Sequence, residues 1–125
     1  MKRTHLFTVF ILVILLLTGL IGCEKEGIGG KGEIKGSAIY GDSSLKQAMF
    51  YIKYGADSSP GTDISRYDAS SATDQEGNFH FKDLNKGHYY IYAVGMGDNE
   101  PIVGGMHVEL EKNEHRENVQ INVAP

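Results

Sequence analysis

The sequence predicts an all-β fold, a two-sheet sandwich of seven short strands, and three observations carry that expectation. From Gly32 onward helical periodicity is absent. Apolar and polar residues alternate in short runs, and Gly, Asp, Asn and Pro punctuate them at hairpin intervals. The expected strands are Gly32–Tyr40, Gln47–Tyr54, Tyr67–Thr73, Asn78–Lys82, His88–Met96, Ile102–Glu111 and Glu117–Val123. Seven such strands with turns between them suit two packed sheets.

Taken in order, the first strand opens as Gly32-x-Ile34-x-Gly36 and the second carries Ala48-x-Phe50-x-Ile52. Between the second and third, Gly55–Arg66 is a polar loop with a Ser-Pro-Gly centre, long for a sandwich. After the third, Asp74-Gln75-Glu76-Gly77 makes a tight connection in which Gly77 is free to take φ > 0. The fourth strand alternates Phe79 and Phe81 around His80, which faces water. Lys86-Gly87 then turns the chain into the fifth strand. The sixth sets Val108 and Leu110 against His107 and Glu109, and the last sets Val119, Ile121 and Val123 against Gln120 and Asn122. Each pattern puts one face on the core and one in solvent.

The first 22 residues form a different kind of segment. Lys2 and Arg3 precede an almost unbroken apolar run, Leu6–Leu17, and Leu20-Ile21-Gly22-Cys23 closes it. A charged start, a short apolar stretch and small residues at a cut site define a secretory signal peptide. The Leu-x-Gly-Cys ending resembles a bacterial lipobox. That resemblance implies cleavage before Cys23, lipidation of its thiol and acylation of the new amino terminus. The expected organisation is thus a signal peptide over 1–22, a Gly-rich flexible tether over 23–31, and a β domain over 32–125. The tether, about ten residues of random coil, would span on the order of 15–20 Å. The expected location is the bacterial envelope, at the outer membrane or cell surface, and Lys25-Glu26 resembles the charged surface-export signal of some Bacteroidetes-type lipoproteins.

Removing 22 of 125 residues leaves 103, enough for one domain. The whole chain carries a net charge of −4. Loss of Lys2 and Arg3, with no acid among the removed residues, takes it to −6. An acidic surface argues against nucleic acid as a partner. The single Cys leaves none to form a disulfide.

The stretch from Thr73 to Ile91 (TDQEGNFHFKDLNKGHYYI) resembles the signature of the carboxypeptidase regulatory-like family, T-D-x-x-G-x-F-x-F-x-x-L-x-x-G-x-Y. The resemblance extends over most of Gly32–Val123 and implies a transthyretin-like Greek-key sandwich. It also implies a non-enzymatic role, stabilising or mediating contacts. Asp74, Gly77 and Gly87 are its structural turn residues, and Phe79, Phe81 and Leu84 its core plugs. The long Gly55–Arg66 loop departs from the pattern. The same fold hosts the hydroxyisourate hydrolases, which end in Tyr-Arg-Gly-Ser. This chain ends in Val123-Ala124-Pro125 instead.

Nothing in the sequence assembles a catalytic site: G-x-S-x-G, H-E-x-x-H and a second Cys are all absent. His107 and Glu109 share a strand face, but a zinc site needs three or four ligands. Asp57, Asp63 and Asp68 match no calcium-loop spacing. No metal and no cofactor are expected. The remaining feature is seven Tyr and no Trp. If Ile91 and Ala93 point inward, then Tyr90, Tyr92 and His88 line the outer sheet face. An exposed aromatic face suits a protein partner or, as the alternative, a glycan.

Overall fold

The computed structural model describes residues 25–125; Cys23 and the segment expected to be a signal peptide lie outside them. Eight strands form: β1 (Ile28–Tyr40), β2 (Ser43–Ser44), β3 (Ala48–Tyr54), β4 (Ala69–Ala72), β5 (Asn78–Leu84), β6 (Gly87–Met96), β7 (Pro101–Leu110) and β8 (His115–Asn122). They make two sheets. In one, β1 is central, with β5 and the two-residue β2 on one edge and β8 parallel to it on the other. The second sheet runs β4-β3-β6-β7, all antiparallel. The chain is therefore an all-β, two-sheet sandwich. A backbone bridge between Val103 and Ala124, with N···O distances of 2.9 and 3.0 Å, ties the two sheets along one side.

The alternation of the sequence explains which face each strand buries. Ile34 and Ala38 from β1, Phe79, Phe81 and Leu84 from β5, and Val119 and Ile121 from β8 meet Phe50, Ile52, Tyr89, Ile91, Ala93, Ile102, Val108 and Leu110 across the interlayer. Phe50 and Phe79 touch across it, with ring centroids 4.4 Å apart. At about 25 cal/mol per Å² of apolar surface removed from water, rings of this size are the largest single contributors to folding.

Four differences from the sequence expectation have local causes. Ser43–Ser44 adds a short eighth strand, closing a hairpin on Ile39 and Tyr40. β4 begins at Ala69, not Tyr67, because Ile64–Arg66 forms a 3₁₀ turn, N-capped by Asp63, that feeds Tyr67 in out of register. β5 runs to Leu84 because Asp83 takes φ +60°. That left-handed step restores Leu84 to the core after two outward residues.

The fourth difference concerns the tether. β1 starts at Ile28, and Lys25–Gly27 are docked onto the sandwich instead of forming a free linker. Asn85 Nδ2 donates to the Lys25 carbonyl at 2.7 Å, and Asn85 N donates to the Gly27 carbonyl at 2.8 Å. Gly27 N donates to the Tyr89 hydroxyl at 2.9 Å. That hydroxyl donates in turn to the Asn85 carbonyl at 2.6 Å, and burial pushes its pKa up. A glycine-rich composition suggested random coil. The side chain of Asn85 and the Tyr89 hydroxyl supply the partners that order it.

Candidate functional site

The turn residues form a closed unit. Asp74 Oδ1 accepts from the amides of Glu76 (2.8 Å) and Asn78 (2.9 Å), and the Asp74 carbonyl accepts from Gly77 N at 3.1 Å. The Asn78 amide leads the effects that hold the Asp74 carboxyl below its ordinary pKa. Gly77 has φ +85°, and a Cβ there would lie 2.5 Å from the Leu45 carbonyl oxygen. Gly87 has φ +138° and lies against Glu26, so this turn also receives the docked amino-terminal segment.

The candidate binding face is the outer side of the β4-β3-β6-β7 sheet, and its rows follow from strand register. Tyr51 pairs with Tyr92 and Tyr92 with Gly105. On one side of that row lie Met49, Val94 and Val103. On the other lie Lys53, Tyr90 and His107. Ile91 and Ala93 point inward with no exposure, so His88, Tyr90 and Tyr92 project outward.

Outward does not mean exposed for Tyr92. It is only 8% accessible, because Tyr67 stacks on it at 5.7 Å and 20° and Tyr51 lies 6.4 Å away. Tyr67 is held in place by donating its hydroxyl to the Gly61 carbonyl at 2.8 Å, which ties the centre of the Gly55–Arg66 loop to the sheet. Burial pushes the Tyr92 and Tyr67 hydroxyls up from their ordinary pKa. Tyr90 lies across Gly105, whose missing side chain leaves room for the phenol. Tyr51, Tyr67 and Tyr90 remain half-buried, and Met49 is 38% exposed. The aromatic surface is a four-tyrosine cluster with an apolar border, larger than the His88–Tyr90–Tyr92 line read from one strand.

His88 gains a partner that the linear sequence hides. Its Nδ1 lies 2.8 Å from His107 Nε2, with the rings 5.0 Å apart and nearly parallel. At that separation one imidazole donates and the other accepts. On the other sheet, Glu33 lies 3.5 Å from His80 and 3.7 Å from His115. Among the described residues, no three His, Cys, Asp or Glu side chains are placed to hold a metal ion. Asp63 is spent capping the 3₁₀ turn through Ser65, and Asp68 accepts from Tyr54 N at 2.7 Å and pairs with Lys53.

A second surface feature went unread in the sequence. A polar cleft of about 200 Å³ on the other sheet is lined by Lys35, Ser37, Asn78, Glu117, Asn118 and Gln120. It opens where β8 bulges at Asn118, which has φ +58°.

The architecture and this face define a two-sheet β-sandwich with an aromatic outer surface. No protein-family model matches the chain, and no curated protein matches it. Two solved structures are similar to it in fold. One is described as "a putative carbohydrate binding protein" of Pseudomonas aeruginosa, at 16% identity over 78% of this chain and 91% of that one, with a TM-score of 0.52. The other is a DUF3823 family protein of Parabacteroides merdae, at 19% identity over 78% of this chain and 47% of that one, with a TM-score of 0.46.

Proposed function

We propose that this protein is a non-enzymatic binding module of the bacterial envelope, anchored by lipid on Cys23, that presents the outer β4-β3-β6-β7 face to a protein partner. The observation that carries the reading is the continuous surface of Tyr51, Tyr67 and Tyr90 with Met49, Val94 and Val103. Half-buried tyrosines held by their neighbours offer apolar area with little entropy left to lose on binding, and among the described residues the hydroxyls of Tyr51 and Tyr90 make no hydrogen bond. The Thr73–Ile91 motif, with its capped Asp74 turn, supports kinship with carboxypeptidase regulatory-like modules, whose role is contact without chemistry. The lipobox-like Leu20–Cys23 supports the anchor.

A second reading, a glycan ligand on the same tyrosines, draws support from the description of the Pseudomonas neighbour. It also draws on the stacking of sugars on aromatic rings.

Two measurements test these readings. Cys23→Ala should abolish incorporation of a fatty-acid probe, and label retained by the variant would refute the anchor. A photo-crosslinking residue at Met49 should give a discrete adduct in intact cells, whereas one at Gln120 on the opposite sheet should not. Equal yields would reject the face as the contact surface. Saturable binding on a glycan array, lost in Tyr90→Ala, would replace the protein partner with a sugar.

A further inference from the structure

The docking of Lys25–Gly27 removes the spacer that a lipid-anchored domain would otherwise have. Cys23 is two residues before Lys25, so chain length alone keeps its backbone within about 7 Å of a backbone fixed to the sandwich. We propose that the domain stands directly on the bilayer, end-on, with the Asn85–Lys86 turn and the start of β1 against the lipid headgroups. The inference rests on the reading of Cys23 as the lipidation site.

Two further features of the same end fit a headgroup surface. Ile28, five residues after Cys23, is 73% exposed and faces no partner in the domain core. Charge is also polarised along the strands. At the opposite end, the turns following β1, β4 and β6 carry Asp42, Asp74, Glu76, Asp98 and Glu100, with Lys46 and Lys35 the nearby cations. At the docked end, Lys25, Lys31, Lys53, Arg66, Lys86 and Lys112 stand among Glu26, Asp57, Asp63, Asp68, Asp83 and Glu111, and Glu114 is closed onto Arg116 at 2.7 Å. An anionic bilayer repels the acidic end and tolerates the balanced one. With 13 residues in β1, the two ends are separated by roughly 40 Å. The strands then run along the membrane normal, and the tyrosine face looks sideways, parallel to the bilayer.

The test uses the full-length, cell-lipidated protein in vesicles of three parts phosphatidylethanolamine to one part phosphatidylglycerol. Lys86→Cys and Asp98→Cys each add one thiol for an environment-sensitive fluorophore, the native thiol being blocked by lipid. Nitroxide on the lipid headgroups should quench the label at 86 several-fold more than the label at 98. Twelve Gly and Ser residues inserted between Glu24 and Lys25 should erase that difference. Equal quenching in vesicle-bound, uninserted protein would overturn the end-on arrangement while leaving the anchor intact. Protein that stays off the vesicles and shows no fatty acid on Cys23 by mass spectrometry would overturn both.

Discussion

Gly77 and Asp74 show how one four-residue turn divides its work between backbone freedom and side-chain acceptance. At φ +85° a β-branched residue is strained, and any Cβ meets the Leu45 carbonyl. Gly77→Val should therefore cost about 1–3 kcal/mol. In a domain of this size that corresponds to a fall in Tm of roughly 4–8 °C per kcal/mol, checked by calorimetry. Asp74 acts through charge. Its folded-state pKa is depressed, so its contribution is complete above the unfolded value of about 3.9 and is lost as pH falls through the lower folded value. The urea midpoints of wild type and Asp74→Ala should differ at pH 6 and converge below pH 4. A gap that persists unchanged at low pH would show that the carboxylate is not the source. Asp63 and Glu114 have depressed values too, which is why the comparison must be between variants and not wild type alone.

Strands, more than single residues, determine what was legible in the sequence. Period-two alternation located every long strand because each buries one face. Thus Phe79/Phe81, Val108/Leu110 and Val119/Ile121 are all core. What alternation cannot carry is information about neighbours. The parallel pairing of β8 with β1, the contact of His88 with His107 and the covering of Tyr92 by Tyr67 all join residues from different strands or loops. Breaks in the period also misled: Asp83 and Asn118, both left-handed, displaced the ends of β5 and β8. The site was therefore half readable, its face but not its depth. This difference has an energetic consequence. Tyr92→Ala should cost about 3 kcal/mol, as for other buried aromatics, whereas half-buried Tyr90→Ala should cost about 1 kcal/mol. Equal losses in chemical denaturation would contradict the stacked arrangement. The docked amino-terminal segment makes a similar claim for β1. A chain beginning at Gly32 removes the Gly27 amide from the Tyr89 hydroxyl and leaves the Asn85 amide without its acceptor, at about 1–3 kcal/mol for a polar group left unpaired. Its melting temperature should fall below that of a chain beginning at Lys25.

For the molecule as a whole, the feature with the widest reach is the pairing of the first strand with the last. β1 and β8 align Glu33 with His115 and Ile39 with Asn122, contacts about 80 residues apart in sequence. Closing so large a loop comes before any reward from the contacts it makes, so folding should take milliseconds to seconds, measurable by stopped-flow fluorescence of the tyrosines. A relaxation in microseconds would show that the β3-β6-β7 meander folds independently of that closure. The order of events is then imposed by connectivity. A polypeptide that emerges amino terminus first, from a ribosome or through a narrow pore, holds the centre of its first sheet with one edge unfilled until β8 arrives. The sandwich completes itself only once β8 is free to pair with β1.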